Sequence, residues 1–118
     1  EPQTAESNAN AINIMGYTHS SELRSEIEEA NGDVGLELRF RYDNNTSNLL
    51  RRSDHWPFLQ VGVPATFFHT GLHPDYHRFT DTPDLINYPK MEKIARLVYL
   101  TSWNLANDDG RPALDRDL

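Results

Sequence analysis

A chain of 118 residues with 37% hydrophobic side chains is one domain rather than two, and its core is either thin or part of a larger one. A net charge of −7 and a single basic doublet, Arg51-Arg52, lack the electrostatic footprint of a nucleic-acid binder, and no apolar run approaches the ~20 residues that span a bilayer. The absence of cysteine excludes disulfides and thiolate ligands, so a metal here would have to be held by His, Asp or Glu.

The first residues, 1–10, are polar and aperiodic and read as a loose end. Ala11–Met15 is a short apolar run closed by Gly16 and predicts a buried strand. A helix follows from Ser20 or Ser21, whose hydroxyl can accept from free first-turn amides. Leu23, Ile27 and Ala30 share one face, Glu22, Arg24, Glu26, Glu28 and Glu29 form a solvated one, and Asn31-Gly32 is expected to supply a left-handed stop. Val34 to Tyr42 alternates, with Val34, Leu36, Leu38, Phe40 and Tyr42 facing inward and Gly35, Glu37, Arg39 and Arg41 facing water. The polar turn 43–48 contains overlapping Asn-x-Ser/Thr sequences at Asn44 and Asn45, a weak glycosylation signal.

Ser53 or Asp54 then heads a short helix to about Val61, with Pro57 tolerated in its first turn and Gly62 ending it. Val63–His69 is rich in β-branched and aromatic residues and predicts a strand, with Pro64 near its start. Thr70–Tyr88 contains Gly71, Pro74 and Pro83 and reads as a long loop. The last helix is expected over Pro89–Asn107, with Met91, Ile94, Ala95, Val98 and Leu105 on its buried face and Leu97, Leu100 and Trp103 widening it. Residues 111–118 read as a loose tail. This order predicts an α/β fold with a few-stranded, mostly parallel sheet flanked by helices, spanning 1–118 as one unit.

Chemistry concentrates in Ser53–Asp84, which holds His55, His69, His73 and His77 together with Asp54, Asp75, Asp81 and Asp84. Titratable groups set between apolar runs are the pattern of a metal or acid–base site, although any one of these histidines is as readily an ordinary surface residue. The i, i+4, i+8 spacing of His69, His73 and His77 would line one helical face, but Gly71 and Pro74 oppose a helix there, so a three-histidine comb is rejected.

Ser53-Asp54-His55-x-x-Phe58, Gly62-Val63-Pro64-Ala65, and Gly71-x-His73-x-Asp75-Tyr76-His77-x-x-x-Asp81-Thr82-x-Asp84 together resemble the C-terminal part of the di-zinc aminopeptidases. That group includes bacterial leucyl aminopeptidases, aminopeptidase Y and glutamate carboxypeptidase. The resemblance runs from about Ile12 to Asn107 and is most specific at Asp75-Tyr76-His77 with Asp81. It implies a partial three-layer α/β/α sandwich around a mixed sheet, a peptide substrate, and a secreted or periplasmic parent protein. It also implies that His77 is a zinc ligand and that Tyr76 donates a hydrogen bond to the oxyanion of the tetrahedral intermediate. If the loop is extended, these two adjacent side chains would approach the metal from different sides. Asp54 would support the rim of the site and Asp81 would orient a histidine. The simpler readings are a first-turn helix carboxylate for Asp54 and a turn former for Asp81. His55, His69 and His73 are expected as packing or loop histidines.

The family's two zincs require a His, a bridging Asp, a Glu, a further Asp and the final His, with a second Glu as base. Only the final His is matched here, and Asn13-Ile14-Met15-Gly16 offers Asn where a superficially similar turn of the family carries Asp. The chain opens on Glu1 rather than Met and is expected to be a segment that starts just after that ligand. The parent is therefore expected to be a zinc exopeptidase with two zincs. The isolated segment is expected to be inactive, binding no zinc or one weakly. Two other readings stay open, a glutaminyl cyclase-like acyltransferase and a non-catalytic peptidase-like binding domain. Tyr76 favours the peptidase over the cyclase, where tryptophan typically precedes the final histidine. Without the missing N-terminal part of its domain, the segment is expected to expose apolar surface and to self-associate.

Overall fold

The computed structural model describes residues 8–44, 46 and 48–115. Asn45 and Ser47, on which the glycosylation signal depends, and the end segments 1–7 and 116–118 lie outside the described residues. Three strands, β1 (Ala11–Met15), β2 (Glu37–Phe40) and β3 (Phe67–His69), form one sheet in the order β2-β1-β3. The sheet is mixed, because β1 pairs parallel with β2 and antiparallel with β3. Among the described residues, the α-helices that flank it are α1 (Ser21–Asn31), α2 (His55–Gln60) and α3 (Tyr88–Asn107), with 3-10 turns at Leu49–Arg51 and Pro83–Leu85. The architecture is a small α/β sandwich.

The central strand is buried along its whole length, and its alternation divides the core in two. Ile12 and Ile14 pack with Leu23, Ile27 and Ala30 of α1 and Leu97 of α3. Met15 packs on the opposite face with Leu49, Leu50 and Leu59, joined by Phe67 and Trp56. Gly16 ends the strand at φ +90°, and a Cβ there would lie 2.3 Å from the Ala65 carbonyl oxygen, so only glycine fits this crossing. Next to it the buried Asp43 carboxylate accepts from the Gly16 amide (2.8 Å), the Thr18 amide (3.0 Å) and the Thr18 hydroxyl (2.6 Å).

The starts of α1 and α3 are capped by side chains. The Ser20 hydroxyl accepts from the Leu23 amide at 3.2 Å, and the Asn87 side chain accepts from the Lys90 amide at 3.2 Å. Three expectations change. Gly32 stays right-handed (φ −55°), and Gly35 takes the positive φ of +80° instead, because the turn tightens through 3-10-type bonds before it reverses. The inward face of β2 breaks at Tyr42, whose φ of +77° turns its ring to the second cluster, away from Leu38 and Phe40. Arg39 and Arg41 are half-buried rather than wet, and the Arg41 Nε donates to the Asn13 Oδ1 at 2.7 Å.

The third change concerns α3. Its buried residues are Lys90, Leu97 and Thr101, while Met91, Ala95, Val98 and Trp103 face solvent. An apolar stripe wide enough to wrap most of a helix cannot say which side meets the sheet, and Leu97 decides it. The segment 111–115 lies across the start of α1. The Asp115 amide donates to the His19 carbonyl (2.8 Å), the Asp115 carboxylate accepts from the Ser21 amide, and the Ala113 amide donates to the Glu22 carboxylate (3.2 Å).

Candidate active site around Tyr76 and His77

The sheet delivers a line of rings to the surface. His55, the first residue of α2, lies against Phe67 of β3, with centroids 4.8 Å apart. Phe67 meets His69 edge to face at 5.1 Å, His69 meets Tyr76 at 5.7 Å, and Tyr76 stacks on His77 at 4.1 Å and 11°. His73 approaches the other edge of Tyr76 at 5.9 Å. Both ends of β3 thus serve the site. Its antiparallel register sets His69 beside Asn13 and Phe67 beside Met15, which anchors the line in the central strand.

The loop that carries the pair is a series of turns. The Tyr76 amide donates to the His73 carbonyl at 3.0 Å and the Arg78 amide to the Asp75 carbonyl at 3.0 Å. His77 sits at φ +58°, a left-handed conformation uncommon outside glycine and asparagine. That turn brings its imidazole back over the Tyr76 ring. The loop is not extended here, so the condition for the two side chains to approach from different sides is not met, and they lie side by side.

His77 is exposed and borders a cleft of about 690 Å³ with Pro74, Asp75, Arg78, Phe79 and Thr80. Tyr76 is half-buried. Asp75 lies on this cleft and also on a second cavity of about 760 Å³, which runs between the loop and α3 past His73, Asp81, Leu85, Lys90 and Ile94. Asp81 lies on that second cavity, with its amide donating to the Arg78 carbonyl at 3.1 Å, and its carboxylate makes no hydrogen bond to a histidine among the described residues. Asp54 stands exposed at the head of α2 without capping it.

Two buried histidines hold the line in place. His69 accepts the Gly71 amide at Nδ1 (2.8 Å), so its neutral form carries the proton on Nε2. Burial holds its pKa below the ordinary value, and Arg52, His73 and His77 push it the same way. His55 is also lowered by burial, against partial opposition from the Leu50 backbone and from Asp43 and Asp54, and neither ring nitrogen has a hydrogen-bond partner among the described residues. Sequence reasoning took His69 for a packing or loop histidine and did not foresee its ring contact with Tyr76, centroids 5.7 Å apart. The His69-Thr70-Gly71 triplet was the available signal, since glycine (φ +103°) lets the chain fold back so that its amide reaches the preceding imidazole.

Among the described residues no three His, Asp or Glu side chains gather closely enough to hold a metal ion. A metal at this site would find one well-presented donor, His77, and this set of residues does not by itself form a complete cage.

The family model of Peptidase family M28 matches residues 3–102, most of the chain and the whole of the site. The chain therefore belongs to peptidase family M28. It has no match among curated proteins and none among solved structures.

Proposed function

We propose that the chain is the part of a zinc-dependent aminopeptidase domain that contributes the last metal ligand, His77, and the oxyanion donor, Tyr76. The observation that carries this reading is the Tyr76–His77 stack on a turn with His77 at φ +58°, His77 bordering the cleft of about 690 Å³. A strained backbone at an exposed imidazole earns little for folding, so it is read as positioning for chemistry. When bound, zinc supplies water activation and carbonyl polarisation. The chain's own residues bind and orient. A neutral His77 offers a nitrogen lone pair to the cleft, and the Tyr76 phenol donates a hydrogen bond where negative charge develops on a peptide carbonyl. His69 packs beside Tyr76, with ring centroids 5.7 Å apart.

The remaining ligands and the general base would come from outside these 118 residues, so the isolated chain should not turn over substrate. An aminoacyl chromogenic substrate with added zinc tests this: no turnover by the isolated chain is expected, and clear turnover would overturn it. In a protein that joins this segment to the rest of the domain, Tyr76→Phe should lower kcat by about 10²-fold with zinc content unchanged. An unchanged kcat would remove Tyr76 from the role assigned to it.

A further inference from the structure

Helix α3 presents to solvent an apolar stripe bordered, on the side of Trp103, by the exposed Glu92 and Arg96. Tyr88, Met91, Ala95, Tyr99, Ser102 and Ala106 follow one another at steps of three and four with Val98 beside Tyr99, and all are exposed. Met91 is 53% exposed, Tyr99 62% and Trp103 57%, which is a long apolar stripe on a helix whose other side already packs on the sheet. Large and small side chains are segregated along it. Tyr99 and Trp103 stack as an aromatic ridge (6.1 Å), while Ala95, Ser102 and Ala106 leave a shallow groove.

The charges are arranged by end. Lys90, Lys93 and Arg96 outnumber Glu92 in the first half, residues 97–107 carry no charge, and Asp108-Asp109 follow the last turn. Within one chain that last pair is misplaced, since two carboxylates sit at the negative pole of the helix with no basic residue in the last turn. A second α3 laid antiparallel corrects this. It sets Asp108 and Asp109 of each copy near the positive N-terminal pole of the other, and opposes the two macrodipoles.

We propose that this chain forms a two-fold symmetric homodimer by antiparallel pairing of α3, with the axis passing near Tyr99. In that register Trp103 of one copy lies over Ala95 of the other, so that ridge meets groove twice in one self-complementary contact. The inference does not depend on the peptidase reading.

Sedimentation velocity of the 118-residue chain tests it, with a dimer expected at tens of micromolar. Ala95→Glu with Trp103→Glu should weaken the dimer by about 30-fold or more, the effect of losing a buried hot-spot contact, with the far-UV circular dichroism unchanged. Because the chain has no cysteine, single-cysteine variants report the register. Tyr99→Cys should oxidise to a cross-linked dimer. Met91→Cys should not, since its copies would stand about 24 Å apart at 1.5 Å of rise per residue. A wild-type chain that stays monomeric at several hundred micromolar overturns the proposal. So does a dimer indifferent to the double substitution, which another surface such as the β3 edge would then hold. Efficient cross-linking through Met91→Cys would overturn the antiparallel register.

Discussion

At the scale of single residues, the site depends on a backbone angle more than on any contact. His77 stacks on Tyr76 at the cost of a left-handed φ, two effects of opposite sign and each about 1 kcal/mol. His77→Gly should therefore leave thermal stability within about 1 kcal/mol of wild type, because glycine is at ease at φ +58°. A loss well beyond that in a melting experiment would make His77 a structural residue. The histidines beneath behave differently. His55 and His69 have folded-state pKa values lowered chiefly by burial, so each binds its proton more readily in the unfolded chain. Their contribution to stability is intact above the unfolded value of about 6.5 and is lost as pH falls below it. Melting temperatures at pH 7.5 and pH 5 should differ in that direction, and His55→Phe should shrink the difference. An equal difference in that variant would contradict the assignment of His55.

At the scale of elements, two anchors position the site and each makes a test. Gly16→Ala brings a Cβ to 2.3 Å from the Ala65 oxygen at φ +90°, and should cost about 3 kcal/mol or prevent folding. A loss under 1 kcal/mol in chemical denaturation would show that the β1 end can shift. For α3, Leu97→Ala should cost about 3 kcal/mol, because Leu97 is fully buried in the main core, whereas Ala substitution at the more exposed Val98 should cost far less. Comparing the two variants by denaturation checks the helix rotation directly. The sequence predicted β1 and the bounds of all three helices to within about a residue at most ends, because capping residues and apolar period act locally. It could not orient α3, whose stripe is apolar on nearly every side. It also could not foresee that Tyr42 and His77 take positive φ, which is a minority conformation for any residue but glycine. The family was legible through the specificity of the Asp75-Tyr76-His77 motif. The ring line from His55 through Phe67 and His69 was not, because it depends on a strand pairing with no local signature.

At the scale of the whole molecule, membership of peptidase family M28 and the thinness of the described core point the same way. The three-stranded sheet is covered by helices on both faces, yet Phe58, Val61, Leu85, Met91 and Trp103 remain open to water. Among the described residues no helix is long and apolar enough to cross a membrane, so that surface does not mark a helical membrane span. The central claim is that His77 is presented as one arm of a metal centre while His55 and His69 serve the fold. Zinc titration followed by the histidine-ring resonances of the isolated chain tests this most directly. The account predicts a weak, saturable response at His77, with a dissociation constant of about 1 mM as expected for an incomplete ligand set, and silence at His55 and His69. A tight site that forms without His77, or a His77 that does not respond to zinc, would contradict it.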